Sequence, residues 1–219
     1  MPRTPQEAPY TFREELAHGI THGIGAGLSI VGLVVLLVFA VHNGNIWHIV
    51  SAAIYGSSLI LLYLASTLYH LLPGPRCKKI FQRLDHSMIY ILIAGTYTPI
   101  TLVSLRGGWG WTLFGLVWGM AIVGLITELV LKRKIKWISL ALYLSMGWLA
   151  VIAAKPLLAS LAPGGVVLLV VGGLLYSFGV IFYVWEKLSY NHAIWHLFVM
   201  AGSTAHFFTI LFYVMSPGA

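Results

Sequence analysis

Two histidines one helical turn apart, His192-Ala-Ile-Trp-His196, carry the clearest chemical signal in this 219-residue sequence. On an α-helix their i, i+4 spacing puts both imidazoles on one face, about 6 Å apart along the axis. Two nitrogens so placed can converge on a single metal ion at about 2.0–2.1 Å each. A third ligand must come from another helix, and His70 is the candidate at a compatible depth. Ser66 precedes His70 by four residues on the same face, where its hydroxyl can reach water at the ion. Asp85 can ligate directly or accept a hydrogen bond from that water. Three imidazoles plus one open position describe a site of the catalytic kind. Imidazole suits zinc best without excluding iron or nickel, and such a site polarises carbonyls and supplies hydroxide near neutral pH.

The elements that must hold these residues are membrane helices. The chain is 59% hydrophobic and 9% charged, with mean hydropathy +0.88, whereas a soluble domain carries roughly 25% charged residues. A bilayer core about 30 Å thick needs about 20 apolar residues per helix. Seven such runs are present, at about 19–41, 48–71, 85–104, 111–131, 137–154, 165–185 and 192–215. Stop signals separate them: His42-Asn43-Gly44-Asn45, Pro73-Gly74-Pro75, Arg106-Gly107-Gly108, Lys132-Arg133-Lys134, Lys155-Pro156 and Glu186-Lys187. The fifth run is the shortest. The expected fold is therefore an all-α bundle of seven transmembrane helices, residues 18–219, behind a short cytoplasmic tail, residues 1–17.

Charge supplies the orientation. With seven spans, one side holds Arg3, Arg13, Arg76, Lys78, Lys79, Arg83, Lys132, Arg133, Lys134, Lys136 and Lys187, and the other holds Arg106 and Lys155. That asymmetry predicts a cytoplasmic N-terminus and an extracytoplasmic C-terminus in a bacterial inner membrane. The net charge of +7 is thus divided among small loops facing anionic lipid, which argues for lipid partners and against nucleic acid. In this topology His18 and His22 open the first span, His70 closes the second, Asp85 opens the third, and His192 and His196 open the seventh. All lie at the cytoplasmic end.

The other polar residues have plainer explanations. His18 and His22 share the i, i+4 spacing and are expected as supporting partners of the ligands. Glu128 should pair with Lys132 one turn on. His206, deeper along the last helix, should bond a backbone group or Ser203. Glycines such as Gly23, Gly25, Gly27, Gly172 and Gly173 suit close helix packing. Trp47, Trp109, Trp111 and Trp137 suit interfacial anchoring. A single cysteine, Cys77, excludes an internal disulfide. Self-association is left open.

Several motifs together resemble the bacterial hemolysin III proteins of the progestin and adipoQ receptor superfamily. They are Ser66-Thr-Leu-Tyr-His70, Asp85-His86, Ala94-Gly-Thr-Tyr-Thr-Pro99, Gly172-Gly-x-x-Tyr176 and Asn191-His-Ala-Ile-Trp-His196. The likeness runs from about Glu14 to the C-terminus. It implies that His70, His192 and His196 match the family's zinc ligands, Asp85 the carboxylate on the metal's water, and Ser66 the nearby hydroxyl. It also implies a ceramidase-like activity and a role in membrane homeostasis. The long N-terminal domain of the animal receptors has no counterpart here, which counts against hormone reception.

Three functions compete. A zinc-dependent hydrolase of lipid amides or esters uses the site as chemistry. A non-enzymatic sensor of membrane fluidity uses the metal to tie helices together. A cytolysin needs a soluble state, which so hydrophobic a chain disfavours.

Overall fold

In the computed structural model, which describes residues 10–130 and 136–215, the chain turns back on itself at short polar breaks to form seven membrane-length helical segments. Helix α1 covers Phe12–Asn43, α2 Ile46–Leu71, α3 Pro75–Pro99 and α4 Gly108–Val130. The fifth span is divided into α5, Lys136–Gly147, and α6, Ala154–Ser160; α7 covers Pro163–Val184 and α8 Asn191–Tyr213. Among the described residues there is no strand. Consecutive helices pack on one another, and α8 returns against α1, closing the bundle. Helix α3 is the most enclosed, with 67% of its apolar window buried, against 17% for the α5–α6 span and for α7, which present most of their surface outward. The predicted seven-span fold is what the chain adopts. Arg3, Lys132, Arg133 and Lys134, with the expected Glu128–Lys132 pair, lie outside the described residues.

Three boundaries differ from those expected, each for a local reason. Helix α1 starts at Phe12, so residues 12–17 are helix rather than tail. Thr11 caps it: the Glu14 backbone N–H donates to Thr11 Oγ1 at 3.3 Å, and the Thr11 N–H donates to Glu14 Oε2 at 2.9 Å. Helix α3 starts ten residues early because Pro75 supplies a pre-set first turn. Asp85 therefore lies about 15 Å inside its helix rather than opening it. The fifth span does not stop at Lys155-Pro156 but continues to Ser160, with Pro156 in the first turn of α6, where no intrahelical N–H is needed.

The break between α5 and α6 is a 3₁₀ turn over Leu149–Ala153. A helix broken at membrane depth must have its freed backbone groups satisfied from elsewhere. Tyr97 of α3 does this twice, donating its hydroxyl to the Gly147 carbonyl and accepting from the Ala150 N–H, both at 2.9 Å. The Ala94-Gly-Thr-Tyr-Thr-Pro99 motif is thus structural here. Gly95 lies against Ser58 of α2 with no room for a Cβ. Thr98 Oγ1 accepts from Trp118 Nε1 at 3.2 Å. Past Pro99 the helix widens into a π turn, Ile100–Ser104.

Candidate metal centre

The predicted ligands come together. His70, on the last turn of α2, and His192 and His196, on the first two turns of α8, are all buried, and one ring nitrogen from each lies within 4.8 Å of the others. The spacing within α8 does what the sequence predicts, and the antiparallel fold brings the end of α2 to the start of α8.

Hydrogen bonds decide which nitrogens remain for a ligand. His70 Nδ1 donates to Glu15 Oε2 at 2.7 Å. His196 Nδ1 donates to the His18 carbonyl at 3.3 Å and lies 3.2 Å from Thr21 Oγ1, whose own proton goes to α1 carbonyls. With both Nδ1 atoms protonated, the Nε2 lone pairs of His70 and His196 are the ones left for a ligand. Neither Nε2 has a hydrogen-bond partner among the described residues, nor does either nitrogen of His192. Buried polar atoms left unpaired cost about 1–3 kcal/mol each, and a cation would remove that cost for one nitrogen of each ring. The donor set fits a metal: imidazoles with outward nitrogens fixed by a carboxylate and a carbonyl are the usual support of metal-bound histidine.

Helix α1 supplies that support, through Glu14 and Glu15, which the sequence reading leaves unassigned, and through His18 and His22, which it expects there. Glu15 also binds Lys78 Nζ at 3.0 Å, and Lys78 donates to the His70 carbonyl at 2.9 Å. Glu14 Oε1 accepts from the Tyr190 backbone N–H at 3.2 Å, holding a residue that has left-handed backbone, φ 58°, just before α8. His18 and His22 are both fully enclosed. The His22 ring stacks on His196 at 3.5 Å, while the His18 ring stands 4.7 Å from His70 and 4.8 Å from His192. Tyr10 covers the cluster from the chain's start, edge-on to His18 at 4.7 Å. Burial pushes the Tyr10 phenol well above its ordinary pKa, so it remains an O–H.

Beside the histidines lies a largely apolar cavity of about 350 Å³, with His22 and Asp85 on its wall and Tyr176 and His206 among its lining residues. Asp85 is buried and is not among the grouped ligand atoms. Ser66 is fully enclosed one turn before His70, its Oγ without a hydrogen-bond partner among the described residues. Glu128 pairs with His86, Nδ1 to Oε1 3.1 Å. His206 donates to the Leu169 carbonyl at 3.1 Å, as expected for a structural histidine.

A family profile described as "Haemolysin-III related" matches residues 10–207. The chain belongs to that family. It is 50% identical over 204 residues to "Hemolysin-3 homolog" of Bacillus subtilis (strain 168), covering 93% of this chain and 96% of that protein. It is 51% identical over 203 residues to "Hemolysin-3" of Bacillus cereus, covering 93% of each chain. A more distant relative is the human "Monocyte to macrophage differentiation factor", 29% identical over 220 residues, with 97% of this chain and 90% of that protein covered. No solved structure matches. Family membership and seven apolar helices make the chain a multi-pass membrane protein, and a bacterial inner membrane is consistent with both. As a haemolysin-III-related protein it carries a buried group of histidines that could hold a metal ion.

Proposed function

We propose that the chain is a zinc-dependent hydrolase of lipid amides or esters that adjusts membrane composition. One observation carries the proposal: three imidazoles with ring nitrogens within 4.8 Å stand beside an apolar cavity of about 350 Å³. A purely structural metal needs no such cavity; an acyl chain does, since its methylenes contribute about 0.8 kcal/mol each when buried. His70, His192 and His196 would hold zinc, which when bound polarises a carbonyl and lowers the pKa of water. Glu15 and the His18 carbonyl leave the two Nε2 lone pairs free for the ion. Asp85, on the cavity wall rather than among the ligand atoms, suits accepting a proton from water better than ligation. Ser66 offers a hydroxyl one turn from His70. The charge asymmetry of the loops supports a position for this end beneath the inner leaflet's headgroups, where lipid and water are both at hand.

A second reading, a fluidity sensor with a structural metal, is favoured by how deeply the histidines are buried and by their tying α2 to α8. The name "Hemolysin-3" belongs to a relative, and lysis follows as readily from bilayer disturbance as from pore formation. The two main readings separate in one experiment on purified protein with lipid substrates. His196→Ala loses both bound metal and turnover, while Asp85→Asn keeps metal and loses turnover. Turnover surviving in metal-free His196→Ala would sink the hydrolase; metal loss that lowers stability when no lipid is turned over would establish the sensor.

A further inference from the structure

A fourth imidazole, His18, packs against the three grouped rings. The ring centres of His18, His70, His192 and His196 form six pairs, and their separations are 4.7, 4.8, 5.6, 5.2, 5.3 and 4.6 Å. An ion bound at about 2.0–2.1 Å by ring nitrogens sits about 3.2 Å from each ring centre, so four tetrahedral rings have centres about 5.2 Å apart. The observed figure is thus close to a regular tetrahedron of the right size. We propose that His18 is the fourth ligand of this centre, closing it when the cavity is empty. This rests on the metal site proposed above and changes its resting state from open to closed.

His18 stands apart from its neighbours at the cluster, and Asp85 is not among the grouped ligand atoms. His18 is completely enclosed, and neither of its nitrogens has a hydrogen-bond partner among the described residues. His22 shares that condition, but its ring lies flat on His196 at 3.5 Å and 6°, a geometry in which two rings cannot share an ion. Glu15 is committed to His70 and Lys78, and Tyr10 stands edge-on to His18 with ring centres 4.7 Å apart.

One adjustment is needed. As the ring stands, a His18 nitrogen groups with His70 and Glu15 rather than with the other two histidines. The ring centre lies on the Cβ–Cγ axis, so turning χ2 sweeps the nitrogens round a cone while leaving the tetrahedron intact. That torsion is intrinsically broad in histidine, and the rings packed on His18 hold it. The same rotation opens the site: His18 turning away exposes one position to a lipid carbonyl or water, and Tyr10, packed edge-on against His18, must yield with it.

The test uses full-length protein in detergent, stripped and reloaded with cobalt(II), whose visible absorption reports its ligands. X-ray absorption should count four imidazoles in the unaltered protein and three in His18→Ala. Azide should leave the unaltered protein's spectrum unchanged and shift that of His18→Ala. His18→Asn serves if the alanine variant does not fold, and the imidazole count on unaltered protein needs no variant. Cobalt bound by three imidazoles with a spectrum already shifted by azide overturns the fourth ligand and leaves the three-histidine site standing. Failure to bind cobalt or zinc at all overturns both.

Discussion

Helix α8 carries two buried polar regions two turns apart, and they are built on opposite terms. Around Ser203, hydrogen bonds close: Tyr63 donates its hydroxyl to Ser203 Oγ at 2.8 Å, Tyr176 Oη lies 2.7 Å from the same oxygen, and His206 reaches the Leu169 carbonyl. Around His196, the Nδ1 atoms of His70 and His196 are fixed, but both Nε2 atoms and both His192 nitrogens are left bare among the described residues. A lone unpaired atom such as His206 Nδ1 is a local cost. Bare nitrogens from His70, His192 and His196 within 4.8 Å of one another could hold an ion. Burial of a histidine does not separate the two cases; the direction of its unpaired nitrogen does.

The comparison is broken most severely at Glu15. Glu15→Gln replaces the carboxylate that fixes the His70 tautomer with a weaker, neutral acceptor. Metal affinity should fall about 10–100-fold, the usual effect of losing such a partner. Competition with a chromophoric chelator measures it, and the Ser203 region should not register the change. Unaltered affinity would mean that α1 merely covers the site.

Ser203→Ala tests the other region. It strips the shared partner from two tyrosine hydroxyls, one of them fully enclosed Tyr63. Stability should drop by about 1–2 kcal/mol, since hydrogen bonds between membrane helices are individually modest. Thermal unfolding in detergent reads this, and zinc content should stay at the unaltered level. Lost zinc would show that the two regions are one cooperative unit.

How much of this was legible beforehand depends on what sequence can encode at short range. The spans were readable because lipid demands a long apolar run, and His192 and His196 because one helical turn relates them. Placing His70 with them needed only the alternation of helix direction. Starting the first helix at its first apolar residue leaves Glu15 in a tail, whereas Thr11-x-x-Glu14 is a capping-box signature that starts it at Phe12 and puts Glu15 at helical spacing with His18 and His22. Thr21 meets His196 only across two helices, which no local spacing encodes. The same treatment of a charged first turn as loop puts Asp85 at the start of its helix rather than inside it. The Tyr97 hydroxyl bridging a broken helix fifty residues away has no signal in sequence, because the break it repairs is set by tertiary packing.

The smallest effect belongs to a polar contact outside both regions. Lys136 Nζ meets Glu186 Oε1 at 2.7 Å at the rim of the cavity, where the Glu186 side chain is 75% exposed. Its closeness equals that of Glu15 to His70, at 2.7 Å, so distance alone would rank the two alike. Solvent separates them: an exposed pair gains little in high dielectric and spends side-chain entropy to form, leaving at most about 1 kcal/mol. Lys136 also stands over the Tyr183 ring at 4.6 Å, a contact worth about 0.5–1 kcal/mol at exposed sites. Glu186→Gln, which removes the ion pair and leaves Lys136 over the Tyr183 ring, should therefore lower stability by less than Ser203→Ala and leave metal affinity unchanged. Added salt should narrow the gap between Glu186→Gln and the unaltered protein, since an exposed pair is screened. A larger loss, indifferent to salt, would mean that the rim is as enclosed as the histidine cluster and that burial does not order these contacts.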